Sequence, residues 1–203
     1  MRDLRSQAGF GMVEVLVTLI ILLLGLLGLA GVMVQSQRAE MESYQRVQAL
    51  ILLQGMAGRI NVNHQVAACY AYTGVNGTPY LGVGATAVPA CAIGTASERA
   101  RALQDMTDWN SLLNGAAETF GGGSVGAMIG ARGCVSYGAG TELLDKNGIA
   151  IPDSGIYTIA VAWQGLSKTA VATPNCAQGL YGANDAQRRV VSLTLRVGSL
   201  TTL

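Results

Sequence analysis

Residues 1–34 read MRDLRSQAGFGMVEVLVTLIILLLGLLGLAGVMV, and this stretch decides how the rest of the chain is read. A short polar leader with two cations, Arg2 and Arg5, ends at Gly9. Phe10 opens an apolar run with one carboxylate, Glu14, near its start. From Val15 to Val34 there is no charge, and Thr18 is the only polar side chain. Twenty such residues suffice to cross a hydrocarbon core of about 30 Å as a helix. A carboxylate at the edge of that run is costly, roughly 2.5–3.5 kcal/mol at a helix centre and less toward the ends. It therefore calls for a partner.

Two cleavage sites are conceivable. An ordinary secretory signal is cut after its apolar core, and Gly28-Leu29-Ala30 offers small residues at the right offset. That cut leaves Glu14 unexplained. A cut between Gly9 and Phe10 frees an α-amino group four residues before Glu14, in the same apolar surroundings.

The run does not end in a turn. It continues as VQSQRAEMESYQRVQALILLQGMAGRINVN, with no proline before Pro79. Met41, Tyr44, Val47, Ile51, Gly55 and Gly58 recur at spacings of three and four and define one helix face, and Glu42 can pair with Arg46 one turn on. A helix from Phe10 to Asn61 is about 78 Å long at 1.5 Å per residue. No small domain contains such a helix, so one half belongs in a membrane or among similar helices while the other carries a globular part.

The segment CYAYTGVNGTPYLGVGATAVPAC, Cys69 to Cys91, has no period and reads as a loop between cysteines. Thr95-Ala-Ser-Glu98 matches a capping box. Leu103, Met106, Trp109 and Leu113 then follow at helical spacing up to a stop at Gly115, giving a helix over Ala96–Asn114. After three glycines, strands are expected at Ser124–Tyr137, Ile156–Trp163 and Arg189–Val197, joined by turn residues. The expected fold is α+β: a long N-terminal helix, half of it transmembrane, packed on an antiparallel meander of three to four strands.

Four cysteines, Cys69, Cys91, Cys134 and Cys176, include no C-x-x-C pair, and His64 is the lone histidine, which argues against zinc. Behind an export segment, two disulfides are expected. Three pairings are possible; Cys69–Cys91 with Cys134–Cys176 is preferred because each closes a local loop. Net charge of +1 with 12% charged residues leaves no footprint for nucleic acid. Gly121-x-Gly123-x-x-Gly126 follows a helix and precedes a strand, the wrong context for a dinucleotide fingerprint. Asp145-Lys-Asn147-Gly148 with Asp153 lacks calcium-loop spacing and reads as a turn. Asp105 and Asp108 read as a solvated helix face, Trp109 and Trp163 as core, and His64 as a partner for a nearby carbonyl. No catalytic set, metal site or cofactor is expected.

Gly9-Phe10-Gly-Met-Val-Glu14-Val-Leu resembles the class III signal of type IV prepilins and pseudopilins. The resemblance implies that Gly9 precedes the cut made by a prepilin peptidase and that Phe10 becomes the N-methylated N-terminus. It implies that Glu14 neutralises the Phe10 amine of a neighbouring subunit. The usual Thr-Leu-Ile-Glu after Phe is Gly-Met-Val-Glu here. The helix-kinking proline common in major pilins is absent, with Gly25, Gly28 and Gly31 in its place, which suits a minor subunit. The order Asp105…Trp109, Cys134, Tyr157…Trp163, Cys176 resembles PilV-type minor pilins. On this basis residues 1–9 are leader, 10–34 the transmembrane half-helix, 35–62 its amphipathic half and 63–203 a periplasmic head. The implied partners are other major and minor pilins and the inner membrane. A type II secretion minor pseudopilin and an anchored binding domain with an ordinary signal are the alternatives.

Overall fold

A computed structural model describes residues 11–117, 119–124 and 128–198. The element order is α1 (Met12–Val62), β1 (Leu81–Gly82), α2 (Ala96–Leu113), β2 (Thr119–Phe120), β3 (Gly123–Ser124), β4 (Arg132–Gly138), β5 (Ile156–Gln164) and β6 (Arg188–Arg196). The chain divides into two compact units, Met1–Met41 and Glu42–Leu203.

In the first unit every described residue is solvent-exposed, from Gly11 through Met41. From Val15 to Val34 the helix is apolar all round but for Thr18, so no face is selected there for an intramolecular core.

In the second unit, α1 buries Gln45, Ala49, Leu53, Met56, Ala57 and Ile60. This is not the face expected from Met41, Tyr44, Val47 and Ile51, which are half exposed, Ile51 at 57%. Both sides of the helix carry apolar residues at helical spacing, so period alone does not choose the side that meets the sheet and α2. Nor does Glu42 pair with Arg46: its Oε1 lies 3.2 Å from Nη2 of Arg189. A 3-10 segment, His64–Tyr70, follows α1, and His64 Nδ1 lies 3.3 Å from the Asn61 carbonyl.

α2 starts at the expected capping box, with Thr95 Oγ1 accepting from the Glu98 N–H and Glu98 accepting from the Thr95 N–H. It ends in a Schellman arrangement: Gly115, at φ +87°, donates to Leu112 and Ala116 donates to Ser111. Its buried stripe is Ala102, Asp105, Met106, Trp109 and Leu113; Leu103, expected in that stripe, is exposed.

The main sheet has the order β1-β4-β5-β6 and is antiparallel throughout. β4 begins only at Arg132, not at Ser124 as the sequence suggested; Gly123–Ser124 instead pairs with Thr119–Phe120 in a separate small hairpin. The strand β6 starts one residue earlier than expected and ends at Arg196. One sheet face, with Val135, Tyr157, Ile159, Val161 and Trp163, joins α1, α2 and the 3-10 segment in the main core. Gly133 is what lets Trp109 lie against this face, because a Cβ there would sit 2.3 Å from Trp109 Cη2. The opposite face carries a second cluster of Cys134, Ala160, Ala162, Cys176, Ala177 and Tyr181, which includes residues of the long β5–β6 connection. Asp145 accepts from the N–H groups of Asn147 and Ile149 at 2.8 Å, so that segment is a turn.

Candidate functional site

The N-terminal candidate begins outside the described residues: Gly9 and Phe10, the expected cleavage junction and methylation position, lie there. Glu14 is described. It sits in the first turn of α1, where its N–H donates to the Gly11 carbonyl at 2.9 Å. A carboxylate in the first turn complements the partial positive charge of a helix N-terminus. Glu14 is solvent-exposed in the isolated chain, as are its apolar neighbours. Thr18 turns its hydroxyl back to donate to the Val15 carbonyl at 2.8 Å, so it presents no free donor.

The helix is long and apolar enough to cross a membrane: an 18-residue window reaches a mean hydropathy of 2.9, and none of that window is buried within the chain. A Cβ placed on Gly25, Gly28 or Gly31 would meet nothing within 4 Å. These positions leave the helix backbone open to close approach by another helix, the role small residues play in lipid.

The head that follows is pinned from several sides. Cys69 pairs with Cys91 and Cys134 with Cys176, at Cα separations of 5.3 and 5.7 Å. Asp105 is 6% exposed and belongs to no solvated face. Its carboxylate accepts from Tyr70 Oη at 2.6 Å, lies 3.2 Å from Arg59 Nη1 and 3.6 Å from Arg101 Nε. The carboxylate thereby ties the last turn of α1, the 3-10 segment and α2 together. Burial, then the hydrogen bond to Asp105, raises the Tyr70 hydroxyl well above the ordinary tyrosine range. Asp108 is more exposed and shares Arg59 at 3.4 Å. Trp109 Nε1 donates to the Leu52 carbonyl at 3.0 Å and Trp163 Nε1 to Gln45 Oε1 at 3.2 Å, so both indoles bind α1 to what covers it.

Two further anchors were not legible in the sequence. Arg188 is 1% exposed; it lies 3.1 Å from Asp185 and donates to the Ala172, Pro174 and Cys176 carbonyls, holding the β5–β6 connection to the sheet. Glu42 accepts from Ser167 Oγ and Arg189. Burial alone would raise its pKa, but the Ser167 hydrogen bonds and the Arg189 charge outweigh it and hold the carboxyl below the usual range. Asp105 did carry a signal, since it lies three residues after Ala102 and four before Trp109 on the buried stripe. Glu42 finds partners set by the folded sheet, which no local pattern encodes; Arg188 has Asp185 three residues before it, but its carbonyl partners lie in the β5–β6 connection.

Among the described residues, no group of three or more His, Cys, Asp or Glu side chains is placed to hold a metal ion. The described groups offer packing, ion pairing and an unburied apolar helix.

Residues 4–30 match the family model of the prokaryotic N-terminal methylation motif, which marks the chain as type IV prepilin-like. The match spans Gly9, Phe10, Glu14 and the apolar run through Ala30. No curated protein matches the chain, and no solved structure does.

Proposed function

We propose that this prepilin-like chain is a minor pilin of a type IV pilus. It is made as a precursor whose leader, residues 1–9, is removed by a prepilin peptidase between Gly9 and Phe10, and Phe10 is then N-methylated. Residues 10–34 hold it in the inner membrane in a single pass, residues 35–62 continue the helix, and residues 63–203 form a periplasmic head. The protein is the substrate of a peptidase and catalyses nothing itself.

The observation that carries this reading is the conjunction of the methylation motif at residues 4–30 with an apolar helix that finds no cover in its own chain. A helix that is apolar all round is stable only in lipid or among other helices. A methylated Phe10 amine and the Glu14 carboxylate of a neighbour supply each other's charge inside such a bundle, where either alone is costly. The two disulfides suit a head that matures in an oxidising compartment. The glycines at 25, 28 and 31, without a helix proline, favour a minor over a major subunit.

Two experiments test the reading. In Glu14→Ala, leader cleavage persists while incorporation into sheared pili is lost; normal incorporation contradicts the neutralising role. In a deletion strain, pilus number falls and type II secretion is unchanged; the reverse pattern assigns the chain to a secretion pseudopilus.

A further inference from the structure

The two edges of the main sheet are built differently. At one, β1 is only two residues long, and beside it Thr73 closes on β4: its N–H donates to the Val135 carbonyl at 2.9 Å and its hydroxyl accepts from the Val135 N–H at 3.0 Å. Short strands and covering loops are how natural sheets blunt an edge.

The other edge has no such protection. β6 is nine residues long and pairs with β5 one to one, from Ile156 opposite Arg196 to Gln164 opposite Arg188, so it carries no bulge. It contains no proline. Among the described residues, no backbone group outside the sheet bonds to residues 188–196. Arginines at the ends of the strand do not guard it. Arg188 is buried, Arg189 is folded onto Glu42 and Ser167, and Arg196 donates to the Thr141 and Ser154 carbonyls. Leu193 is left 38% exposed in the middle.

At the start of this edge lies a cleft of about 340 Å³ lined by Glu42, Arg46, Trp163, Arg189, Val190 and Val191, together with Ser43. Arg189 is neutralised there by Glu42. Among the described residues no carboxylate pairs with Arg46, which is exposed at the mouth of the cleft.

We infer that the outer edge of β6 takes an extended, acidic segment of a partner chain as a fifth strand of the sheet, with a carboxylate of that segment set against Arg46. Strand addition draws affinity from main-chain hydrogen bonds and specificity from side chains that meet flanking pockets. The charge selects the occupant: β6 has no acidic residue, its Arg188 and Arg189 are already matched by Asp185 and Glu42, and the neighbouring Arg46 pairs with no carboxylate among the described residues. A second copy paired through its own β6 would bring no carboxylate to Arg46, because that strand has none, whereas an acidic segment answers the unmatched charge. The inference concerns the head and does not depend on how the N-terminus is processed.

The test uses the full chain in detergent micelles. The probe is a labelled peptide of alternating Thr and Val, as long as β6, with two Glu at one end. Controls are the same peptide with Lys for Glu and one N-methylated at alternate amides. The Glu peptide is expected to bind and to slow hydrogen exchange of β6 amides that β5 does not bond. Arg46→Glu should weaken binding about tenfold, Arg99→Gln should leave it unchanged, and both control peptides should fail. Equal binding of the Lys or N-methylated peptide overturns the inference. So does an unchanged affinity in Arg46→Glu, absence of protection at β6, no binding at all, or self-association through β6 that the Glu peptide cannot compete away.

Discussion

One helix serves two regions in opposite ways. From Met12 to Met41 it buries nothing in its own chain, although almost every side chain after Glu14 up to Val34 is apolar. From Glu42 to Val62 it is more polar, yet it buries six residues and takes indole hydrogen bonds at Leu52 and Gln45. Hydrophobicity is thus highest where intramolecular burial is nil. The first region is written for an environment outside the chain, and the second for its own sheet and α2.

Substitutions can break that contrast. Trp109→Ala should destabilise the head by about 4 kcal/mol, through lost burial and the cavity left behind, as read by thermal unfolding in detergent. Leu23→Ala removes as many apolar atoms as a core leucine does but should leave the head transition unmoved. A large shift there would mean that the first region is part of the head's cooperative unit. Replacing Cys134 and Cys176 together by Ser should cost about 4 kcal/mol. The same change at Cys69 and Cys91 should cost roughly 0.5 kcal/mol less, because chain separation falls from 42 to 22 residues.

The head's packing offers a finer probe. Gly133→Ala places a methyl against Trp109 and should cost about 1–3 kcal/mol by overpacking, whereas Gly28→Ala meets nothing in the chain and should leave the head untouched. If Gly28→Ala nevertheless reduces incorporation into filaments, the glycine is packed by another subunit.

The smallest expected effect is one of pH. Glu42 has a lowered folded pKa, so its contribution is present above its ordinary value near 4.5 and is lost as pH falls through the lower folded value. Glu42→Gln should flatten that acid limb of the stability curve. An unchanged limb would show that the Ser167 and Arg189 contacts do not hold the carboxylate in solution.

How far the sequence could be read follows the same divide. The long helix, the capping box at Thr95 and the cores of β5 and β6 are carried by local periodicity, which is strong in each. The buried face of α1 is not legible, because Met41, Tyr44, Val47 and Ile51 repeat as regularly as Ala49, Leu53, Met56 and Ile60, and period alone does not say which side meets the sheet. The start of β4 is not legible, because glycines between 121 and 133 impose no backbone preference. β1 is too short to leave a pattern. Asp105 looks like a surface charge by residue type, although its position on the Met106–Trp109 stripe points inward. Of the N-terminal site, the motif was fully legible, since it is a matter of spacing; the ion pair proposed for Glu14 lies between chains.

The most direct test is the mass of the N-terminal peptide of the protein recovered from sheared filaments. A peptide beginning with N-methylated Phe10 is the expected result. An N-terminus at Gly31, or an intact chain from Met1, would contradict the account.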